Sequence, residues 1–194
     1  MTYSQNTAAT QLFDACILSS SEACALLQGE VLLETRPHTP FGGAVTARMY
    51  LPVERSLVWS QLTDYTRWVQ YFPDIVQSEV LERNPQRPHR GQRLYQTARK
   101  TFLMFTAQVE VYLRVFENLQ RQIRFRMEQG SFNDFTAELV LDDYGDGTVL
   151  TYSVEATPLI PVPSMFIEQA MRQDLPGNMR QMRQAICAGL CQAA

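Results

Sequence analysis

Along most of the chain, apolar and polar residues alternate one by one. In AVTARMYLP, Val45, Ala47, Met49 and Leu51 fall on one side and Thr46, Arg48 and Tyr50 on the other, the period-2 signature of a strand with one buried face. The same alternation resumes at Ile75 and runs through IVQSEVLER, QRLYQTARK, FLMFTAQVEVYLRVF, RQIRFRM, DFTAELVLDD and TVLTYSVEATP. The joints NPQRPHRG, ENLQ, EQGSFN and YGDG carry turn chemistry. In the longest piece Leu103, Phe105, Ala107, Val109, Val111, Leu113 and Val115 share a face, opposite Thr106, Gln108, Glu110, Tyr112 and Arg114. A straight strand of that length would span roughly 50 Å at about 3.3 Å per residue, so it must bend, and its sheet must curl around something. On the wet face Glu110 and Arg114, Arg124 and Arg126, and Glu138 and Asp142 are placed for cross-strand pairing as ordinary solvated surface.

Helical spacing replaces the alternation in two places. Before the strand-rich region, GEVLLET is a first extended segment and RPHTPFGG a loop. PVERSLVWSQL then has the start signals Pro52 and Glu54, with Val58, Trp59 and Leu62 at helical spacing. YTRWVQYFPDI predicts a second short helix ended by Pro73. At the other end PSMFIEQAMRQDLPGNMRQMRQAICAGL predicts one long helix whose apolar stripe is Met171, Leu175, Met179, Met182, Ile186 and Leu190. Pro176 interrupts that helix and predicts a kink near Arg172–Pro176. Residues 1–28 read as an N-terminal helical extension broken near Ser19–Ser21, and residues 29–194 as the main domain. This order predicts an α+β arrangement. In it a curved antiparallel β-sheet of about seven strands wraps a long C-terminal helix, with two short helices after the first strand.

Composition narrows the choice of partners. A 45% apolar and 19% charged chain of 194 residues is globular and long enough for a real core. A formal charge of −3 with no basic run among stacking aromatics argues against nucleic acid. No Lys or Arg precedes Arg36, and Ala15–Leu18 is too short for the apolar run of a secretion signal; the expectation is a cytoplasmic protein. Cys16 and Cys24, and Cys187 and Cys191, lack the C-x-x-C spacing of zinc or redox sites, so neither metal nor cofactor is expected.

Three stretches carry a family resemblance: LPVERSLVWSQLTDYTRWVQYFPDIVQSEVL, DGTVLTYSVEATP and FIEQAMRQDLPGNMRQMRQAI. They resemble the START-like (SRPBCC) superfamily over about residues 43–190, and in particular its polyketide cyclase/dehydrase and coenzyme Q-binding branch. The resemblance implies a helix-grip fold enclosing a deep apolar cavity, with the short helices at its mouth. It also implies ligands such as lipids, quinones, sterols or polyketides. It places Trp68, Tyr71 and Phe72 at the mouth. The inward parity of the strands adds Phe105, Val109, Phe125, Phe135, Leu139 and Tyr152 as lining, with Ile167, Met171 and Leu175 opposite on the helix. Trp59, with Val58 and Leu62, is assigned to the core.

The leading expectation is thus a carrier or chaperone for a hydrophobic small molecule. The alternative is an enzyme of the cyclase or dehydratase type, which needs acid–base groups facing the cavity. His38 and His89 sit in proline-containing polar loops, Tyr95 and Glu138 fall on the outward face, and no nucleophile, phosphate-loop or zinc motif is present. Asp64 and Tyr65, between the short helices, are the best acid candidates, and helix capping is the commoner role for such an Asp. No catalytic residue is assigned. A third reading, an interaction module, draws on residues 1–28 and on the arginines Arg83, Arg87, Arg90 and Arg93, which would equally suit transient contact with anionic lipid.

Overall fold

In the computed structural model, residues 18–83, 91–102 and 105–191 are described, the side chains of 100–102, 105–107, 190 and 191 excepted. Helix α1 (Ser20–Leu27) leads into β1 (Val31–Thr39) and β2 (Gly42–Leu51). Helix α2 (Arg55–Leu62), a 3₁₀ turn (Tyr65–Arg67) and α3 (Trp68–Tyr71) follow. Six strands come next: β3 (Ile75–Glu82), β4 (Gln92–Phe102), β5 (Phe105–Asn118), β6 (Gln122–Gly130), β7 (Phe132–Tyr144) and β8 (Gly147–Pro158). Helix α4 (Ser164–Cys191) ends the order. The strands form one antiparallel sheet in the order β1-β2-β8-β7-β6-β5-β4-β3. Because β2 lies near one edge and β3 at the other, the chain between them must cross the sheet. The short helices are that crossing.

The helix-grip architecture agrees with the expected one, with four corrections. The sheet has eight strands rather than about seven, and the short helices follow the second strand, not the first. Strand β1 runs through Arg36, Pro37 and His38, which the sequence suggested were loop. It is an edge strand, where a proline without an N–H costs no ladder bond on the open side. Likewise β4 continues to Phe102, which pairs with Phe105, so the chain turns where unbroken alternation suggested one longer strand.

The predicted inward parity holds on the described strands: Val45, Ala47, Met49 and Leu51, then Val111, Leu113 and Val115, and Leu150 with Tyr152 are all buried. Strand β5 bends at a register shift against β6 between Tyr112 and Leu113. Gly130 sits across from Val111, where an added Cβ would lie 2.4 Å from the Glu110 carbonyl oxygen. Only a glycine lets the two backbones come that close.

Helix α4 continues through Pro176 and buries Leu175, Met179, Met182 and Ile186 against the sheet. Its first turns approach β2 at Gly43, where an added Cβ would meet Ile167, Glu168 and Met171 at 3.3–3.4 Å. Arg183 donates to the Gly29 carbonyl (2.8 Å) and Arg172 to the Thr35 hydroxyl (2.7 Å), so the helix is seated over the β1–β2 side. Helix α1, capped by Ser19 and Glu22 in a capping box, buries Leu26, and Glu22 approaches the outward Arg48 at 3.7 Å.

The outer face carries cross-strand pairs, as expected, with Arg124 opposite Glu138 in the β6–β7 register. Arg93 and Arg114 both bind Glu128, Gln122 donates to Glu138, and Tyr95 lies tilted against Tyr112 and donates to Glu110. Arg93 is therefore engaged rather than part of a free basic cluster; Arg83 is exposed, and Arg87 and Arg90 lie outside the described residues. Partial burial alone would raise the Glu128 carboxyl, but hydrogen bonds and charge from Arg93 and Arg114 outweigh it and hold the group below the usual carboxylate range.

Two outcomes follow. Gly43→Val drives two methyl groups into Ile167 and Met171 and lowers stability by about 1–3 kcal/mol in urea denaturation, whereas a neutral result would mean α4 is not held there. Since the folded pKa of Glu128 is depressed, its contribution is present above the ordinary carboxylate pKa and lost as pH falls through the folded value. The melting-temperature gap between wild type and Glu128→Gln is accordingly full at neutral pH and closes below about pH 4.

Candidate functional site

The aromatic stretch between β2 and β3 is tied down by hydrogen bonds at nearly every turn. The last carbonyls of α2 have no intrahelical donors, and aromatic side chains supply two: Tyr71 Oη donates to Gln61 and Trp68 Nε1 to Leu62, each at 3.0 Å. Ser78 of β3 donates to the Tyr65 carbonyl (2.7 Å), and Gln181 of α4 to the Gln70 carbonyl (2.7 Å). Trp68 is thereby pinned between neighbours, stacked on Phe72 (centroids 5.6 Å) and tilted over Phe125 (4.9 Å).

Beneath this cap is a cavity of about 180 Å³. Its walls come from α3 and its exit (Trp68, Phe72, Ile75), from β4 and β5 (Gln96, Ala98, Val109, Val111, Leu113), and from Phe125, Phe132, Phe135, Ala137 and Tyr152. A register shift between Phe132 and Asp134 lets Phe132 join Phe135 on the inner side, their rings 5.5 Å apart. The space slightly exceeds the roughly 150 Å³ in which an apolar cavity takes up benzene.

Six of the residues proposed from the sequence are brought together here: Trp68, Phe72, Val109, Phe125, Phe135 and Tyr152. Tyr71 and Leu139 are fully buried in the packed core. Ile167, Met171 and Leu175 lie on α4, the first two above Gly43, and do not line this cavity. The Phe105 side chain lies outside the described residues. Ile75, Gln96, Ala98, Val111, Leu113, Phe132 and Ala137 complete the wall and were not singled out. Parity had marked Val111 and Leu113; nothing in the sequence marks Gln96.

The polar groups divide sharply by side. Tyr65 donates outward to Glu117 (2.5 Å), which also receives Gln92; burial first, then the Glu117 carboxylate, pushes its phenol far above the ordinary range. Burial likewise moves Tyr71 up to about 12. Asp64 stands at the N-cap position of the 3₁₀ turn without bonding a backbone N–H; its carboxylate takes the Thr66 hydroxyl (2.6 Å). The expected capping role is therefore not met. His38 is on β1, bonded to Asp134 (2.9 Å), rather than in a loop, and His89 lies outside the described residues. Among the described residues, no carboxylate or histidine lines the cavity, while Tyr152 and the amide of Gln96 do. Desolvation pushes the Tyr152 phenol well above its ordinary range, so it remains a donor. No group of three or more metal-ligating side chains is found among the described residues.

A sheet gripping a long terminal helix, with an apolar cavity between them and the short helices, defines the helix-grip fold. The family model for polyketide cyclase/dehydrase and lipid transport matches residues 51–183, and the chain belongs to that START-like family. Similar solved structures include a START superfamily protein from Mycobacterium smegmatis (16% identity, TM-score 0.61, covering 81% of this chain and 97% of that one). A STAR-related lipid transfer protein from Xanthomonas axonopodis is similar at 17% identity and TM-score 0.63, with 80% and 93% covered. The Zhui aromatase/cyclase from a Streptomyces species follows at 11% identity and TM-score 0.55, with 79% and 94% covered. At these identities the likeness is one of fold. No curated protein matches. Among the described residues no helix is long and apolar enough to cross a membrane.

The two tryptophans provide an internal control, since Trp68 walls the cavity and Trp59 does not. In Trp59→Phe, which retains Trp68, an apolar quinone entering the cavity quenches emission strongly. In Trp68→Phe, which retains Trp59, it quenches weakly. Equal quenching would place the quencher elsewhere.

Proposed function

We propose that the protein binds a hydrophobic small molecule in this cavity and serves as its carrier or chaperone. The observation that supports this best is an unfilled space of about 180 Å³ walled by Trp68, Phe72, Phe125, Phe132 and Phe135. Protein cores normally close such voids, because each absent contact is lost stability. The lipid-transfer relative lends the same reading weight. Leu159 and Ile160, after β8, and Met165 and Phe166, in the first turn of α4, are exposed; the Leu159 N–H donates to the Ser131 carbonyl (3.4 Å) and the Ser164 N–H to the Pro40 carbonyl (3.2 Å). They suit transient contact with a membrane surface during loading.

A second reading, a cyclase or dehydratase, is favoured by one observation: a tyrosine hydroxyl faces the cavity in a fold shared with an aromatase/cyclase. It yields to the first because that phenol has no carboxylate or histidine beside it among the cavity-lining residues.

Native mass spectrometry of the purified protein, with organic extraction of what accompanies it, tests the carrier. An apolar compound near one per chain is expected. Ala137→Leu, which fills the void with about three carbons at roughly 0.8 kcal/mol each, keeps or raises the melting temperature and expels the compound. A protein that arrives empty, together with an Ala137→Leu variant destabilised as an overpacked core is, would overturn the proposal.

A further inference from the structure

Three residues of the cavity wall carry hydrogen-bonding side-chain groups: Trp68, Gln96 and Tyr152. The Trp68 N–H is spent on the Leu62 carbonyl. The other two are left with capacity facing inward.

Gln96 lies directly across from Ser78 in the β3–β4 register, and its Nε2 is 3.0 Å from Ser78 Oγ. The single hydroxyl proton of Ser78 goes to the Tyr65 carbonyl, so its oxygen can only accept. That requirement fixes the amide: the NH₂ end faces Ser78, and Oε1 remains as an acceptor with no protein donor among the described residues. Tyr152 is 7% exposed, its ring 5.7 Å from that of Phe72. Its hydroxyl has no partner among the described residues, yet no polar side-chain atom without a partner is fully buried there. The Tyr152 oxygen therefore opens into the cavity. A phenylalanine would fill the same core position without placing a hydroxyl on an otherwise apolar part of the wall.

We propose that Tyr152 and Gln96 form a polar recognition pair that selects a ring-sized apolar ligand bearing a carbonyl oxygen, held by the Tyr152 hydroxyl, and a separate hydroxyl, held by Gln96 Oε1. The inference rests on the reading of the cavity as a ligand site and names the class of ligand: an aromatic or quinonoid head group with one acceptor and one donor. The volume of about 180 Å³ limits the enclosed part to about one ring, so any longer apolar tail lies outside the described space. A good hydrogen-bonding site rejects analogues lacking the matching group more sharply than an apolar wall rejects a change of one carbon.

The test is isothermal titration calorimetry of the full chain with three probes: acetophenone, its carbon isostere α-methylstyrene, and 4-hydroxyacetophenone. Tyr152→Phe weakens acetophenone by about fivefold and leaves α-methylstyrene within about twofold. Gln96→Leu removes the advantage of 4-hydroxyacetophenone over acetophenone. If Gln96→Leu does not fold, the wild type alone decides its part, because equal affinity for the two ketones there removes Gln96 from the pair. Tyr152→Phe is expected to melt no lower than wild type, since it deletes an unpaired group. A loss shared by ketone and alkene, or by neither, overturns the recognition pair while leaving the carrier in place. Failure of all three probes to bind wild type removes the cavity as a ligand site, and the pair with it.

Discussion

A single helix cannot cover the concave face of an eight-stranded curved sheet, and the rest of the molecule answers to that mismatch. Helix α4 is drawn to one side by its seat above Gly43 and by bonds from Arg172 and Arg183 to the β1 end. The inner faces of β4 to β7 are left to the segment that crosses from β2 to β3. Only about fifteen residues of short helix are available there, so the covering area has to come from large side chains. Trp68 and Tyr65 supply it, converging on Phe125, with Phe72 stacked on Trp68. What they cover without filling becomes the cavity.

An aromatic cap over a void is stable only if it cannot collapse inward. Short helices are weak on their own, and the turn-rich path from Leu62 to Ile75 exposes many backbone carbonyls. The side chains of Tyr71 and Trp68 satisfy two of them, and Ser78 and Gln181 satisfy two more from β3 and α4. These bonds join the cap to three different elements at once. The same Ser78 continues inward to orient Gln96, so the bond that fixes the cap also sets the polarity of the cavity wall.

The sequence made the scaffold legible because alternation and helical spacing are local signals. The face shared by Val109, Val111, Leu113 and Val115 could be read directly, and so could the stop at Pro73. Elements whose limits depend on partners were harder. Pro37 reads as loop until its strand is known to be an edge, and Phe102 reads as the start of a strand until it is seen to end one. The site was half legible for the same reason. Parity indicated Phe125, Phe135 and Tyr152, but which inward residues meet helix and which meet empty space depends on where α4 sits. Ile167 and Met171 went to the helix interface, and Leu139 to close packing. Phe132 reached the wall only through a register shift, which alternation does not announce. Gln96 is a polar residue in a strand, and its role arises from Ser78 and Tyr65, far apart in sequence.

The chemistry at the wall also bears on what this scaffold can do with a ligand. A general acid transfers its proton efficiently when its pKa lies near the working pH. The Tyr152 phenol is displaced in the opposite direction by burial, with no opposing charge to bring it back. Such a group holds its proton through the whole physiological range and acts as a fixed hydrogen-bond donor. Gln96 does not titrate at all. A site built from one permanent donor and one permanent acceptor has the same polarity loaded or empty, and its grip on a ligand does not switch with pH near neutrality. Those properties suit the orienting role proposed for the pair. Among the described lining residues Ala98 and Ala137 present only a methyl group to the Tyr152 phenol, and the amide of Gln96 is the other polar group on the wall.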